Sequence, residues 1–259
     1  MPQDPDRGSI FSSPCDAAAN RKEIAVGTLA FDEHAGKYDS WFQENRNILT
    51  SEVRLIARAL GKPGRALSIG CGSGLFEMLL KQEFGILIED GIEPAEGMAE
   101  IARKRGMTVA IAPAEEIPHP DAAFETALMN GTPAYFQDLR RPLEEARRIL
   151  KPGGRLVIGD VPASSSFGML YKLAGVIGTW DDPHLRKIAP AKPYPVEFVR
   201  EAHWRSTEEI AEQLQELGFE DLDFAQTLTT HARFADDAPE DPIPGYTKGS
   251  YVAIRAVKR

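Results

Sequence analysis

Hydrophobic and polar positions recur with two different periods along most of the chain. Short apolar runs, such as residues 65–70 and 155–161, are typical of buried strands. Between them, apolar residues recur at intervals of three and four, which indicates helices with one apolar face. From Val53 to Leu60 they follow one such face, and the Gly-Lys-Pro-Gly run that comes next is expected to end that helix.

The alternation predicts seven strands with helices between most of them. The last two strands have no helix between them, so we expect them to pair antiparallel, whereas the alternation before them predicts a parallel sheet covered on both faces. Ser206 and Glu209 have the spacing of a capping box, which predicts that a helix begins after Ser206. The predicted strands cover residues 65–70, 87–93, 108–112, 125–130, 155–161, 219–228 and 250–257, and the helices between them include residues 74–83 and 95–105.

Two segments interrupt this rhythm. Residues 162–205 are rich in proline and aromatic residues, and their length indicates a functional or locally helical insertion rather than a simple loop. Residues 229–248 form a second polar, proline-rich stretch. We expect a flexible tail over residues 1–34 and one domain over residues 35–259, in which a helical lid (35–60) and the insertion cover the substrate.

Composition narrows the class of protein. The chain has 259 residues, 42% of them hydrophobic, with 30 basic and 39 acidic side chains and a net charge of −9. This charge argues against a nucleic-acid partner or an anionic membrane surface. Two cysteines cannot build a disulfide framework, and they favour a reducing compartment. Without a signal-like start or an apolar run of about 20 residues, we expect a cytoplasmic protein, and we predict no metal site.

The strongest chemical signal is the run LSIGCGSG at residues 67–74. Glycines at 70, 72 and 74 follow a predicted strand and open a helix. Such a loop lets a ligand approach the main chain, and the helix start presents its N–H groups to an anion. The dinucleotide fingerprint would require a glycine at the position of Leu75, so the spacing argues against NAD.

Carboxylates follow the next two strands. Glu93 ends the second predicted strand, where an acid can accept hydrogen bonds from both hydroxyls of a ribose. Glu115 follows the third strand, next to Ala114, where a carboxylate could accept from an adenine amino group. Together with the glycine loop, these positions predict a nucleoside-containing ligand.

The runs ALSIGCGSG, GIEPAEGMAEIARKRG, APAEEIPHPDAAFETALM and EEARRILKPGGRLVIGDV resemble the class I S-adenosylmethionine-dependent methyltransferases. The similarity covers roughly residues 35–259 and is greatest to the small-molecule methyltransferase-domain subfamily of bacteria and archaea. It implies an α/β fold with a Rossmann-like seven-stranded sheet in the order 3-2-1-4-5-7-6, with the last strand antiparallel and helices on both faces. It also implies S-adenosylmethionine as the cofactor, S-adenosylhomocysteine as its product, and a small-molecule methyl acceptor. We expect a monomer or a homodimer, although the resemblance does not decide between them.

The resemblance also implies the cofactor-binding residues. Three glycines would surround the methionine part, Glu93 would bind the ribose, and Met98 would pack near the adenine, whose edge Ala114 and Glu115 would hold. Two residues that end the fourth strand would face the sulfonium, and two aromatic residues of the predicted lid would cover the cofactor. The full predicted set is Tyr38, Trp41, Ser68, Gly70, Cys71, Gly72, Gly74, Glu93, Pro94, Met98, Ala114, Glu115, Asn130 and Gly131.

Ser68 departs from the family pattern. The family usually has Asp or Glu there, and that acid helps to hold the ammonium group of the cofactor. Serine can accept a hydrogen bond but brings no charge, and charge-assisted bonds are about twice as strong as neutral ones. Two alternatives therefore stay open: a cofactor-binding protein without turnover, and an NAD-dependent oxidoreductase, which Leu75 and the final strand pair disfavour.

Methyl transfer to a hydroxyl, amine or carbon acid is aided by a base. The candidates are His203 at the end of the insertion, Asp160 at the end of the fifth strand, and Tyr135 in the loop after the fourth strand. His119 is a weaker candidate, because it lies on the adenine side. The acceptor atom does not follow from these residues.

Overall fold

The computed structural model describes residues 26–259, with the side chains of residue 31 and of residues 36–259. A single mixed sheet has helices on both of its faces. Its strands are β1 (Ala66–Ile69), β2 (Asp90–Ile92), β3 (Thr108–Ala110), β4 (Phe124–Asn130), β5 (Leu150–Asp160), β6 (Phe219–Thr227), β7 (Ile243–Pro244) and β8 (Tyr251–Lys258). The α-helices are α1 (Val26–Glu44), α2 (Arg46–Leu60), α3 (Leu75–Phe84), α4 (Glu96–Lys104), α5 (Arg140–Ile149), α6 (Ser166–Ile177), α7 (Leu185–Ile188), α8 (Val196–Glu201) and α9 (Thr207–Glu216).

The strand order is β3-β2-β1-β4-β5-β8-β6-β7. Strands β1 to β5 pair in parallel, and β8 pairs antiparallel with both β5 and β6. This arrangement confirms the predicted order of seven strands and the antiparallel last strand. Parallel pairing brings the carboxyl ends of β1, β2 and β4 to the same edge of the sheet, which is where ligands bind in open α/β folds.

The sheet has an eighth strand that the sequence pattern did not predict. β7 contains only two residues, and it lies at the sheet edge within the proline-rich stretch 229–248. The buried side chain of Gln226 holds this stretch in place. It accepts from the N–H groups of Lys248 and Gly249, both at 2.7 Å, and donates to the carbonyl oxygen of Pro244 at 3.0 Å. A strand of two residues is too short to show the alternation of apolar and polar positions by which strands are predicted. β7 is therefore recognised only from its pairing with β6.

Successive side chains along each strand point to opposite faces of the sheet, and each face packs into its own part of the core. In β5, Leu156 and Ile158 pack into the cluster that includes α5 and α9, whereas Val157 packs into the cluster that includes α2 and α3. All three side chains are almost completely buried. This is the period of two expected for a sheet that helices cover on both sides.

The amino-terminal region is more helical than predicted. Helix α1 begins at Val26, within the stretch expected to form a tail, and residues 1–25 lie outside the described residues. The predicted lid consists of two helices, because Asn45 separates α1 from α2 and its side-chain amide donates to the carbonyl oxygen of Trp41 at 2.9 Å. The insertion, residues 162–205, contains α6, α7 and α8.

A buried polar contact fixes α1 above the glycine loop. The Asp39 carboxylate accepts from the Ser73 hydroxyl at 2.6 Å and forms an ion pair with Arg105 at 2.5 Å. Arg105, at the end of α4, also donates to the carbonyl oxygen of Ser73 at 2.7 Å. Asp39 and Arg105 therefore connect α1, the loop and α4.

Within residues 26–259, no helix combines the length and apolar character that crossing a bilayer requires.

We predict that Arg105→Ala lowers the free energy of unfolding by about 1–3 kcal/mol, because it leaves the largely buried Asp39 carboxylate without its cation. Arg140→Ala is the matched control, since its ion pairs with Glu144 and Glu216 are exposed and are expected to contribute less than about 1 kcal/mol. Urea unfolding measures both values. Equal losses for the two variants would contradict the role assigned to the Asp39–Arg105 contact.

Candidate functional site

The glycine loop follows β1 at the carboxyl edge of the sheet. All three glycines have positive φ angles, +68° at Gly70, +53° at Gly72 and +70° at Gly74. A Cβ atom at Gly70 would lie 2.6 Å from Thr132, and one at Gly74 would lie 2.8 Å from Met107, so packing requires glycine at both positions. At Gly72, the Met98 methyl group is the only neighbour among the described residues that a Cβ would meet within 4 Å, at 3.4 Å. Of the three loop glycines, Gly72 is therefore the one that a ligand can approach most closely.

Cys71 is a packing residue of this loop. Its sulfur lies against Gly91 of β2, where a Cβ atom would come within 2.8 Å of it. Burial raises the pKa of the Cys71 thiol, and the nearby carboxylates of Glu77 and Glu93 raise it further. The thiol is therefore protonated at neutral pH, despite its position near a helix start.

Glu93 lies beside the loop, as its sequence position predicts. One carboxylate oxygen accepts from the N–H of Gly72 and the other from the N–H of Ala95, both at 2.9 Å. These two bonds hold the buried carboxylate between the glycine loop and the start of α4, directly before Pro94. Met98, one turn into α4, is 2% exposed and covers Gly72.

The structure supplies a carboxylate at Ser68 that the sequence analysis missed. The Ser68 hydroxyl donates to Oε1 of Glu77 at 2.6 Å, and both side chains are buried. The second oxygen, Oε2, has no hydrogen-bond partner among the described residues. Burial raises the pKa of Glu77, an effect that the Ser68 hydroxyl partly offsets. A carboxyl group is therefore present next to Ser68, but it comes from α3 rather than from β1.

The third loop begins next to Glu93. The main-chain N–H of Glu93 donates to the carbonyl oxygen of Ala110, the last residue of β3, at 3.1 Å. Ala114 is buried a few residues later, and Glu115 beside it is half-buried. His119 lies farther along the same loop, but its ring packs on Phe124, at the amino end of β4, so it is not part of the edge that holds the glycine loop.

The two aromatic residues predicted for the lid have different surroundings. The indole N–H of Trp41 donates to the carbonyl oxygen of Lys192 at 3.0 Å, and its ring packs edge-on against Tyr194, so Trp41 joins α1 to the insertion. Tyr38 lies among the acids of the site. Burial raises the pKa of its hydroxyl, and the charges of Glu52 and Glu77 raise it further.

Of the three predicted catalytic residues, Asp160 and Tyr135 lie close together, whereas the His203 side chain is exposed. Asp160, at the end of β5, is 7% exposed, and burial raises its pKa to about 7. Tyr135 lies nearby, and its hydroxyl is 3.2 Å from that of Tyr194, but burial raises its pKa, so it is protonated at neutral pH. His203 is exposed, and it contacts this edge through its main-chain N–H, which donates to Ala134.

Asn130 and Gly131 end β4 beside these residues. The Tyr251 hydroxyl donates to Oδ1 of Asn130 at 3.0 Å, and the N–H of Gly131 donates to the carbonyl oxygen of Gly159 at 2.7 Å. A Cβ atom at Gly159 would lie 2.5 Å from Ile56, so this glycine also lets α2 pack closely on the strand ends.

The residues around the loop fit the cofactor that the sequence resemblance implies. Glu93 offers carboxylate oxygens to a ribose, Met98 offers an apolar surface, and the unpartnered Oε2 of Glu77 offers an acceptor to an ammonium group. Because a buried polar atom without a partner is costly, the Glu77 oxygen is readily explained as one that a ligand satisfies.

Comparison with known proteins agrees with this geometry. Residues 41–223 match the family model described as "Methyltransferase domain". An uncharacterized protein of Methanocaldococcus jannaschii is 34% identical over 88% of this chain and 98% of its own length. The 27-O-demethylrifamycin SV methyltransferase of Amycolatopsis mediterranei is 27% identical over 80% of this chain and 85% of its own length.

A solved structure shares the whole architecture. It is a SAM-dependent methyltransferase of Thermotoga maritima, described as a possible histamine N-methyltransferase. The two chains are 34% identical and superpose with a TM-score of 0.76, over 89% of this chain and 99% of the other.

We predict that Glu77→Gln stabilises the ligand-free protein at neutral pH, by on the order of 1 kcal/mol. Glutamine can keep the bond from Ser68, and it removes a buried charge whose second oxygen has no partner. Because the folded-state pKa of Glu77 is raised, its cost is absent below the unfolded pKa of about 4.3 and grows as the pH rises above it.

Urea unfolding at pH 7 and near pH 4 tests this prediction, with the exposed Glu83→Gln on the same helix as control. The gain should be present at pH 7 and vanish near pH 4. A loss of stability at pH 7 would show that the Glu77 carboxylate is satisfied within the ligand-free protein.

Proposed function

The chain belongs to the class I S-adenosylmethionine-dependent methyltransferase family, and we propose that it transfers the methyl group to a small-molecule acceptor. The named relatives leave the acceptor open. The Amycolatopsis enzyme is named for a rifamycin, two other relatives are demethylmenaquinone methyltransferases, and the Thermotoga protein is described as a possible histamine N-methyltransferase.

The observation that carries this proposal is the roof over the strand ends. The Trp41 indole binds the insertion at Lys192, and Lys37 of α1 forms an ion pair with Glu197 of α8 at 2.7 Å. Within the insertion, the Trp180 indole donates to the carbonyl oxygen of Tyr194 at 2.8 Å. Helix α1, which also contacts the glycine loop through Asp39, is therefore joined to the insertion, and an acceptor covered by these elements would be a small molecule rather than a macromolecular surface.

The cofactor-binding residues follow from the same geometry. Glu93 would accept from the ribose hydroxyls, and Oε2 of Glu77 would accept from the ammonium group, with Ser68 orienting the Glu77 carboxylate. Met98 and Ala114 would cover the adenine. When bound, the cofactor supplies an activated methyl group and its own leaving group, so the protein mainly has to align the reactants and exclude water.

Two groups of the chain are suited to those tasks. The rings of α1 and the insertion exclude water from the strand ends. The Asp160 carboxylate, with a pKa raised to about 7, can accept a proton from an acceptor atom at neutral pH. The absence of an acid at position 68 was the ground for considering a protein without turnover, and the Glu77 carboxyl group beside Ser68 removes that ground.

We predict that two acids recognise different parts of S-adenosylhomocysteine. Glu93→Ala should weaken binding of S-adenosylhomocysteine and of 5′-methylthioadenosine alike, by about 1.5–3 kcal/mol, because both ligands carry the ribose. Glu77→Gln should weaken S-adenosylhomocysteine binding by a similar amount but leave methylthioadenosine unchanged, because that ligand has no ammonium group. Isothermal titration calorimetry measures all four affinities.

The exposed Glu116→Gln is the control, and its affinities should match those of the unaltered protein. If Glu77→Gln weakens both ligands equally, Glu77 acts on the loop rather than on the ammonium group. If neither ligand binds the unaltered protein, the proposed function itself is wrong.

We predict release of S-adenosylhomocysteine when the protein is incubated with S-adenosylmethionine and a panel of small hydroxyl, amine and carbon-acid acceptors. Gly72→Ala should abolish this release, because its methyl group enters the open side of the loop. Gly61→Ala is a matched control, since Gly61 has a similar φ of +56° and nothing within 4 Å of a Cβ. Both variants should lose roughly 1–2 kcal/mol of stability to backbone strain.

Comparing the turnover of Gly72→Ala with that of Gly61→Ala therefore distinguishes loss of cofactor contact from the backbone strain that both variants share. Equal turnover by the two variants would mean that the loop is only a structural turn. No turnover with any acceptor, despite cofactor binding, would favour a binding protein.

A further inference from the structure

Two buried acids at the strand ends have no cation. Glu52 of α2 is 5% exposed and Asp160 is 7% exposed. Within the described part of the chain, neither carboxylate forms an ion pair, and the Glu52 carboxylate has no hydrogen-bond partner. Asp160 accepts from its neighbour, the N–H of Val161, at 2.8 Å. Burying two carboxyl groups without an ion-pair partner is costly, so a stable protein needs a reason to keep them.

The two carboxylates act on each other. Glu52 lies one helical turn before Ile56, and Ile56 packs against Gly159, the residue before Asp160. The negative charge of Asp160 raises the pKa of Glu52, in addition to the larger effect of burial. The two acids therefore form one buried cluster, next to the end of β4 where Asn130 lies.

Arg205 offsets part of the cost of a charge on Asp160, but it forms no ion pair with either acid. Arg205 lies close enough for Asp160 to influence its pKa, but its guanidinium donates to main-chain carbonyl groups. These acceptors are the carbonyl oxygens of Pro133, Phe136, Gln137 and His203, at distances from 2.7 to 3.2 Å. Its hydrogen bonds hold the loop after β4 in place rather than bind the two acids.

Aromatic side chains surround the acids. The charge of Glu52 raises the pKa of three tyrosine hydroxyls, those of Tyr38, Tyr171 and Tyr251, so all three lie near it. The Tyr171 ring packs against Tyr194, and their centroids are 5.9 Å apart. Carboxylates and aromatic rings both attract organic cations, so a cation suits this cluster better than an anion.

We propose that the methyl acceptor is a small molecule with a basic amine, whose ammonium group binds between Glu52 and Asp160 within the surrounding tyrosine rings. This proposal rests on the proposed function, since it names the acceptor of that same site. Glu52 is then a substrate-binding residue, and Asp160 is the group that takes a proton from the amine.

Proton transfer is required because an ammonium nitrogen has no lone pair. The proton moves from the nitrogen to a carboxylate oxygen of Asp160, whose pKa of about 7 suits this exchange, and the nitrogen keeps the electron pair. The free amine would then form a bond to the methyl carbon as the methyl–sulfur bond of the cofactor breaks, with that electron pair left on sulfur. The methylated amine is again a cation, and the negative charge that Asp160 loses on protonation matches the positive charge that the sulfonium would lose.

The experiment uses the full chain and matched pairs of probes. Phenethylamine is compared with 2-phenylethanol, and butylamine with 1-butanol, because each pair differs mainly in the charged nitrogen. Affinities are measured by calorimetry with and without S-adenosylhomocysteine. We expect an amine to bind roughly 10- to 100-fold more tightly than its alcohol, as charge-assisted hydrogen bonds imply. Glu52→Gln should remove this preference, and the exposed Glu44→Gln should leave it unchanged.

Glu52→Gln replaces an unpaired buried acid, so it should fold, and its unfolding midpoint in urea checks this. Asp160→Asn provides a second variant, because its side-chain oxygen can still accept from the N–H of Val161. It should also reduce the preference for amines. Loss of preference in these two variants, but not in Glu44→Gln, supports the proposal.

Other results would overturn it. Equal affinity for amines and alcohols, or no binding of either amine, means that the acids do not recognise an amine. If Glu52→Gln weakens S-adenosylmethionine relative to S-adenosylhomocysteine while amine binding is unchanged, the acids instead balance the sulfonium. In each case binding of S-adenosylhomocysteine shows whether the proposed function survives, so the two failures are distinguishable.

Discussion

The bond from Ser68 to Glu77 is the interaction on which the rest of the site depends. It holds a carboxylate below the glycine loop, at the end of the central strand β1, and leaves one oxygen without a partner. A half-satisfied buried charge opposes folding, so the surrounding packing has to compensate for it. Asp39 and Arg105 help by tying α1 and α4 to the same loop. The loop is therefore shaped before a ligand arrives, with an acceptor already in place for a cation.

The same principle extends to the acceptor side. Glu52 and Asp160 are also buried acids that form no ion pair in the described part of the chain, and tyrosine side chains lie near them. In both places, a ligand can offset the cost of a buried acid, so free energy that destabilises the empty protein becomes binding energy. Active sites commonly retain such groups at some expense of stability.

Sequence patterns predicted the features that depend on strand ends. The order of seven strands is confirmed, and Glu93 lies beside the glycine loop because parallel strands bring their carboxyl ends together. Glu77 and Glu52 were missed, because burial of a helical acid is a tertiary property. A signal was nevertheless present: Glu77 interrupts the apolar run LFEMLL, and Glu52 occupies an apolar-face position between Ile48 and Ile56. The exposed position of His203 likewise depends on how the insertion packs, which local pattern does not reveal.

The most direct test of the central claim is a titration of the Glu77 carboxyl by carbon-13 NMR, assigned with Glu77→Gln. In the ligand-free protein its pKa should lie above the ordinary glutamate value, because the group is buried and only half-satisfied. S-Adenosylhomocysteine should lower this pKa by placing an ammonium group beside Oε2, whereas 5′-methylthioadenosine should leave it raised. An ordinary pKa in the free protein, or the same change with both ligands, would contradict the account.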